Sequence, residues 1–85
     1  VLLSYNSLYT EAVFENISAI LEEAGTDLNN VVKSTVFVTD MDKFEEMNDV
    51  YRRYMSEPYP ARGAVEVGLA SPEFLVEIEV IAAVE

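Results

Sequence analysis

Arg62 and two glutamates near the end of the chain, Glu77 and Glu79, have types and positions that suggest chemistry. Arg62 comes just after a segment that Pro58 and Pro60 keep extended, so its side chain starts the next strand from a stiff base. A guanidinium held in this way presents a fork of N–H groups that suits a carboxylate. Two interpretations are open: Arg62 binds a ligand carboxylate, or it pairs with a glutamate nearby.

The predicted strands place these charges by alternation, because successive side chains of a strand point to opposite faces. In the last strand the apolar set that includes Val76 and Ile78 suits the core under the helices, which turns Glu77 and Glu79 to the far face. Arg62, Ala64 and Glu66 share one face of the preceding strand. We assign that face to the far side as well. Four charged residues are then expected on the far face of the sheet: Arg62, Glu66, Glu77 and Glu79.

This far face has two interpretations. It is exposed to water, as one side of an antiparallel sheet often is, or another subunit covers it. Apolar residues on the same face, Ala64, Leu75 and Ile81, favour the second interpretation. Charged side chains that are partly removed from water usually form ion pairs or belong to a functional site.

Other polar side chains suggest chemistry less strongly. Asn48 lies one position past the inner stripe of the second predicted helix, where a structural hydrogen bond to backbone or a ligand contact would suit it. Lys33, in mid-strand, is interpreted as the partner of an acidic neighbour. Three tyrosines are interpreted as packing residues with a polar tip: Tyr51, Tyr54 and Tyr59.

Composition excludes several classes of function. The chain has 85 residues, with 16 acidic and 5 basic side chains and a net charge of -11, which disfavours nucleic acids and anionic membranes. It has no cysteine or histidine, so a nucleophile or general base of either type is excluded. No apolar run reaches membrane-spanning length, and a soluble cytoplasmic or organellar protein is expected. The apolar fraction of 51% is high for a short chain, which suggests that a second copy covers apolar surface.

The elements that must position these residues follow from hydrophobic periodicity. A helix is predicted from Tyr9 to Ala24, with Ser7 or Thr10 as its cap and Gly25 as its stop. A strand at 31–39 follows, then a helix at 42–57 that starts at a capping box of Asp42 and Glu45, and strands at 62–69 and 74–84. Val1 to Tyr5 is a further possible strand. The order predicts one α+β domain, 1–85, with both helices on one face of the sheet.

The stretch Tyr59-Pro60-Ala61-Arg62-Gly63-Ala64-Val65-Glu66-Val67 resembles the most specific motif of the RidA (YjgF/YER057c/UK114) family. Val76-Glu77-Ile78-Glu79-Val80-Ile81-Ala82 matches the second half of that motif. Upstream matches in order and spacing include Val31 to Met41 and Met47-Asn48. The resemblance covers roughly Thr10 to Val84. The family's first part, two strands with a Gly-Pro-Tyr-Ser-like and a Ser-Gly-Gln segment, is expected to be missing here.

The resemblance implies a chorismate-mutase-like trimer whose sheets form a central barrel, with a ligand site at each subunit interface. Arg62 would hold the carboxylate of a 2-imino acid, and Glu77 would position or activate the attacking water. Backbone near Ala64 would meet the substrate nitrogen, and Asn48 would lie near the site. The implied reaction is hydrolysis of 2-iminobutanoate- or 2-iminopropanoate-type compounds to 2-keto acids and ammonia, without metal or cofactor. Ala64 stands where family members often carry cysteine.

Three functions follow as hypotheses. The first is the imine/enamine deaminase. The second is a non-enzymatic member that binds small carboxylates or proteins at the same pocket. The third, the ribonuclease activity ascribed to some members, suits the charge of -11 poorly.

Overall fold

The computed structural model describes residues 5–84, which form two α-helices and three β-strands. The elements are α1 (Tyr5–Glu23), β1 (Val31–Val38), α2 (Phe44–Tyr54), β2 (Ala61–Glu66) and β3 (Val76–Ala82), with 3-10 turns at Leu28–Asn30 and Met41–Lys43. The predicted α+β order is therefore confirmed. The possible strand at Val1 to Tyr5 lies outside the described residues except for Tyr5, which begins α1.

Helix α1 ends as predicted but starts earlier. Gly25 has a φ of 84°, and the Thr26 N–H donates to the Leu21 carbonyl at 2.9 Å, which closes the helix in the left-handed conformation that glycine tolerates. The predicted caps are wrong, because Ser7 and Thr10 lie inside the helix. The Thr10 hydroxyl instead donates to the Asn6 carbonyl at 2.6 Å, one turn back.

The apolar rhythm of the sequence predicts an inner stripe on α1 of Val13, Ile17, Ile20, Leu21 and Ala24, and the buried face differs from it. Phe14 is fully buried, whereas Ile20, predicted on the inner face, is 66% exposed. Phe14 stacks on Tyr54 with ring centroids 5.0 Å apart and meets the edge of Tyr51 at 5.7 Å. This aromatic cluster sets the rotation of α1 because a large ring contributes more buried apolar area than an isoleucine. Four residues of α1 are buried: Ser7, Thr10, Phe14 and Leu21.

Helix α2 is shorter than predicted at both ends. Its first turn follows a 3-10 turn whose cap is Asp40, with a side chain that accepts from the Asp42 N–H at 3.0 Å. The predicted capping box at Asp42 is therefore wrong, since Asp42 lies within the 3-10 turn. The helix ends at Tyr54, well before Pro58. Its predicted inner stripe is confirmed at Met47 and Tyr51, which are both buried.

The sheet has the strand order β2-β1-β3, with β1 at its centre. Strand β2 runs parallel to β1, with α2 as the crossover between them, and β3 runs antiparallel. The segment 67–75 crosses the end of β1. There the Val67 N–H donates to Val38 at 2.9 Å and the Thr39 N–H donates to Leu75 at 3.1 Å. Residues 67–69 and 74–75, which were predicted as strand, lie in this crossing segment instead. Strand β2 therefore ends at Glu66, and β3 begins at Val76.

The face of β2 is the main correction to the sequence prediction. Val36 of β1 is fully buried under the helices, and its lateral neighbours are Ala64 and Ile78. Laterally paired residues share a face of a sheet, so Arg62, Ala64 and Glu66 face the helices rather than the far side. Glu66 there accepts a hydrogen bond from the Met41 N–H at 2.7 Å. The prediction for β3 is confirmed, because Glu77 and Glu79 pair with Phe37 and Thr35 on the far face.

The two helices are joined by polar contacts at their exposed edge. Arg53 pairs with Glu11 at 3.1 Å, and the Tyr54 hydroxyl donates to the Glu15 carboxylate at 2.7 Å. The hydrogen bond to Glu15 raises the pKa of Tyr54 above its ordinary value, and burial and the nearby negative charges of Glu15 and Glu11 act in the same direction. Protonated Tyr54 therefore supports the contact between α1 and α2.

Stability should depend on the Tyr54 proton only at high pH. The unfolded chain releases this proton near the ordinary tyrosine pKa of about 10, before the folded chain does. The contribution is thus fully present below about pH 10 and is lost as pH rises through the folded-state pKa. Urea unfolding of wild type and Tyr54→Phe across this range should show a steeper loss for wild type. Parallel curves would contradict the assignment.

Candidate functional site

A pocket of about 450 Å³ opens between α2 and the start of β2. It contains two guanidinium groups, an amide and two aromatic rings, so it combines positive charge with apolar walls. Its lining residues are Asn48, Tyr51, Arg52, Tyr59, Pro60 and Arg62. The guanidinium of Arg62 is therefore one of the two positive charges that line this pocket.

Arg62 is held in this pocket by one hydrogen bond and two rings. Its Nη1 donates to Oδ1 of Asn48. Its guanidinium carbon lies 4.6 Å from the ring centroid of Tyr51 and 5.4 Å from that of Phe44. Such positions give cation–π attraction. The guanidinium is thus oriented by neutral groups, which leaves its positive charge uncompensated.

No carboxylate of residues 5–84 forms an ion pair with Arg62. The neighbouring Arg52, by contrast, is paired with Asp49 at 3.1 Å and with Glu45 at 3.8 Å. Of the two interpretations of Arg62, pairing with a glutamate of the same chain is therefore wrong within the described residues. The other interpretation, in which Arg62 binds a ligand carboxylate, stays a prediction, and a guanidinium unpaired within these residues has the chemistry for it.

The parallel crossover explains why these residues meet. It brings Arg62 beside Ser34 of β1 and under α2. Phe44, Asn48 and Tyr51 fall four and then three residues apart on α2, which places them on one stripe of that helix. This stripe lies over the start of β2, and so all three side chains reach the guanidinium.

The predicted site residues do not all converge within one chain. Asn48 is buried against Arg62, so its predicted bond to backbone is replaced by one to a side chain. Ala64 lies two residues beyond Arg62 on the same face. Glu77 lies on the opposite face of the sheet, at the level of Phe37, whereas Arg62 is at the level of Ser34. That offset is about 10 Å along the strands.

Two residues of the site were not identified from the sequence. Tyr51 was interpreted only as packing, and Ser34 was not singled out, yet their hydroxyl oxygens lie 2.7 Å apart in a buried hydrogen bond. The signal was the alternation that places Ser34 on the same buried face of β1 as Val36 and Val38, because buried hydroxyls require partners. Lys33, predicted to pair with an acidic neighbour, forms no ion pair within residues 5–84.

Within 5–84 no three His, Cys, Asp or Glu side chains are grouped so that they could hold a metal ion. Neither α-helix of this part of the chain is long and apolar enough to cross a membrane.

Comparison with known proteins adds to this geometry. Residues 7–84 match the family model described as Endoribonuclease L-PSP. A RutC family protein of Pyrococcus abyssi is 53% identical over 73 residues, which are 86% of this chain and 58% of that protein. A 2-iminobutanoate/2-iminopropanoate deaminase of Capra hircus is 46% identical over 67 residues, 79% of this chain and 49% of that protein. The chain thus spans about half to three fifths of these relatives' length.

Solved structures show the same fold. RidA from Psychrobacter sp. PAMC 21119 superposes with a TM-score of 0.81 at 51% identity, covering 88% of this chain and 61% of that one. A putative endoribonuclease of Thermotoga maritima superposes with a TM-score of 0.88 at 44% identity, covering all of this chain and 67% of that one. The resemblance seen in the Pro-Ala-Arg motif is confirmed by these matches. The chain belongs to the Endoribonuclease L-PSP family, whose solved members include RidA and YjgF-type proteins.

Proposed function

We propose that this chain carries the carboxylate-binding part of a hydrolytic deaminase for 2-imino and enamine acids. The observation that carries the proposal is the unpaired guanidinium of Arg62, oriented by Asn48 and Tyr51 at the pocket. A 2-imino acid has a planar carboxylate, which a guanidinium fork binds in two-point contact. The relatives named 2-iminobutanoate/2-iminopropanoate deaminase support this choice of substrate class.

The chemistry requires little more than orientation, a water molecule and proton transfer. The imine carbon is already electrophilic, and water adds to it to form a carbinolamine. Loss of ammonia then leaves the 2-keto acid, so one water is consumed and one ammonia is released. Glu77 would take a proton from the attacking water and return it to the departing nitrogen. Backbone near Ala64 would orient that nitrogen.

The positions of Arg62 and Glu77 favour a site shared between subunits. They lie on opposite faces of one sheet and are offset along it, so a single molecule of substrate cannot contact both within one chain. The far face around Glu77 carries exposed apolar side chains, including Ile81 at 56% and Val65 at 43% exposure. A second copy that covers this face would bring its own Arg62 to the neighbour's Glu77. We therefore propose a homotrimer with interface sites, as the family resemblance implies.

A direct test generates 2-iminobutanoate in solution with an amino-acid oxidase and follows its decay with and without the purified chain. Decay faster than in buffer, in a preparation whose mass in solution is that of three chains, is the expected result. Decay at the buffer rate would contradict the enzymatic proposal. Activity from a monomer would contradict the shared site.

The same separation of Arg62 and Glu77 favours a second candidate function. A subunit that keeps Arg62 without a nearby glutamate can bind small carboxylates but has no group to activate water. Thermal stabilisation by 2-ketobutyrate without imine hydrolysis would indicate this binding function. Under this candidate, Arg62→Ala would remove the stabilisation.

A further inference from the structure

We propose that Tyr51 is a positioning residue for Arg62, and that Ser34 anchors Tyr51 so that the guanidinium is held ready for the substrate carboxylate. The inference deepens the proposed function and rests on it for the identity of the ligand. It assigns a role to a buried hydrogen bond, between Ser34 and Tyr51, that the binding and hydrolysis steps do not themselves use.

Arg62 needs such support because it has no charged partner among residues 5–84. An arginine side chain has several rotatable bonds, and order in it must come from contacts. Asn48 restrains only one nitrogen, Nη1. The ring of Tyr51, with its centroid 4.6 Å from the guanidinium carbon, is nearer than that of Phe44 at 5.4 Å. Tyr51 is therefore the main contact on the face of the guanidinium.

Tyr51 is itself fixed by burial and by two contacts. It is 3% exposed. Phe14 of α1 meets its ring edge-on at 5.7 Å, with an angle of 72° between the rings. Its hydroxyl oxygen lies 2.7 Å from that of Ser34, which is 1% exposed. The ring under the guanidinium thus belongs to the rigid core rather than to the mobile surface.

The sheet register makes Ser34 the natural anchor. Ser34 of β1 is the lateral neighbour of Arg62 in β2. The ring that contacts Arg62 is thus hydrogen-bonded to the residue beside Arg62 in the sheet, and the contacts close a triangle through α2, β1 and β2. Tyr51 contacts Arg62 through its ring, and its hydroxyl lies against Ser34, so we infer that the residue acts through Arg62.

The first test is spectroscopic and does not depend on turnover. The Arg62 guanidinium N–H signal of the intact protein should be shifted upfield by the ring current of Tyr51. Tyr51→Phe retains the ring and should keep most of that shift, whereas Tyr51→Leu should move the signal to the position of a free arginine. Tyr54→Leu is the matched control, because Tyr54 also packs on Phe14 but does not contact Arg62. An unshifted wild-type signal, or one unchanged in Tyr51→Leu, would overturn the proposal.

The second test uses the reaction. Tyr51→Leu should raise KM for 2-iminobutanoate about tenfold, in line with a partly desolvated cation–π contact, and kcat should change much less. In an Arg62→Ala background the same substitution should change KM no further. Equal effects in both backgrounds would show a merely structural role and overturn the proposal.

A third variant keeps the proposal testable if Tyr51→Leu does not fold. Ser34→Ala removes the anchor but keeps the ring, so the Arg62 signal should keep most of its upfield shift, as in Tyr51→Phe, but should broaden while the fold is retained. A signal identical to wild type would contradict the role of Ser34. If the signals behave as expected and no imine is hydrolysed, the proposed function fails while the positioning of Arg62 stands.

Discussion

Arg62→Ala is expected to lower kcat/KM for 2-iminobutanoate hydrolysis by about 100- to 10,000-fold, because two hydrogen bonds to a charged group contribute about 1.5–3 kcal/mol each. The side chain has no ion pair within residues 5–84, so its removal breaks only the hydrogen bond to Asn48 and the contacts with the two rings. The loss should therefore appear in binding and turnover and only weakly in the free energy of unfolding. Steady-state kinetics together with urea unfolding measure both quantities.

Two variants sharpen this prediction. Arg53→Ala removes a cation from α2 that pairs with Glu11 and does not line the pocket, so it should leave kcat/KM near wild type. Arg62→Lys keeps the charge but loses the planar fork and should recover only part of the activity. Full activity in Arg62→Lys would show that charge alone suffices. Full activity in Arg62→Ala would rule out the proposed site.

Glu77→Gln is expected to lower kcat about 100-fold or more, the range typical of a lost general base. Gln has nearly the same shape as Glu, so the proposed subunit interface should be preserved. Gln cannot take a proton from water, so only the role as a base is lost. The effect should fall mainly on kcat because, in the proposed site, Arg62 and not Glu77 holds the substrate carboxylate. Steady-state rates of imine decay, with the mass in solution checked in parallel, measure it.

Glu79→Gln is the matched control for Glu77→Gln. The two glutamates lie two positions apart on β3 and on the same far face, but Glu77 pairs with Phe37 and Glu79 with Thr35. A loss at Glu77 with near wild-type activity at Glu79 would support the specific role of Glu77. Equal losses at both positions would indicate a general effect of charge on the interface and would contradict that role.

Local patterns predicted most elements of the fold. The β-branched run at Val31 predicts β1 because it suits a buried strand, and Gly25 predicts the end of α1 because its φ of 84° suits glycine. The stripe of α2 follows from its 3.6-residue period. The rotation of α1 did not follow in this way. The predicted stripe of α1 does not contain Phe14. The packing of Phe14 on Tyr51 and Tyr54 sets which side of the helix is buried.

The sequence by itself determined the family and the anionic character of the chain and selected Arg62 as a candidate, because each depends on residue types and local order. Tertiary structure alone decided which face of the sheet Arg62 occupies. Alternation relates Arg62 to Ala64 within β2, but it cannot say which side of that strand meets the helices. The pairing of Ser34 with Arg62 settles this, since lateral neighbours share a face. Arg62 therefore lies on the face under the helices, where its guanidinium contacts the Tyr51 ring, and Glu77 lies on the opposite face.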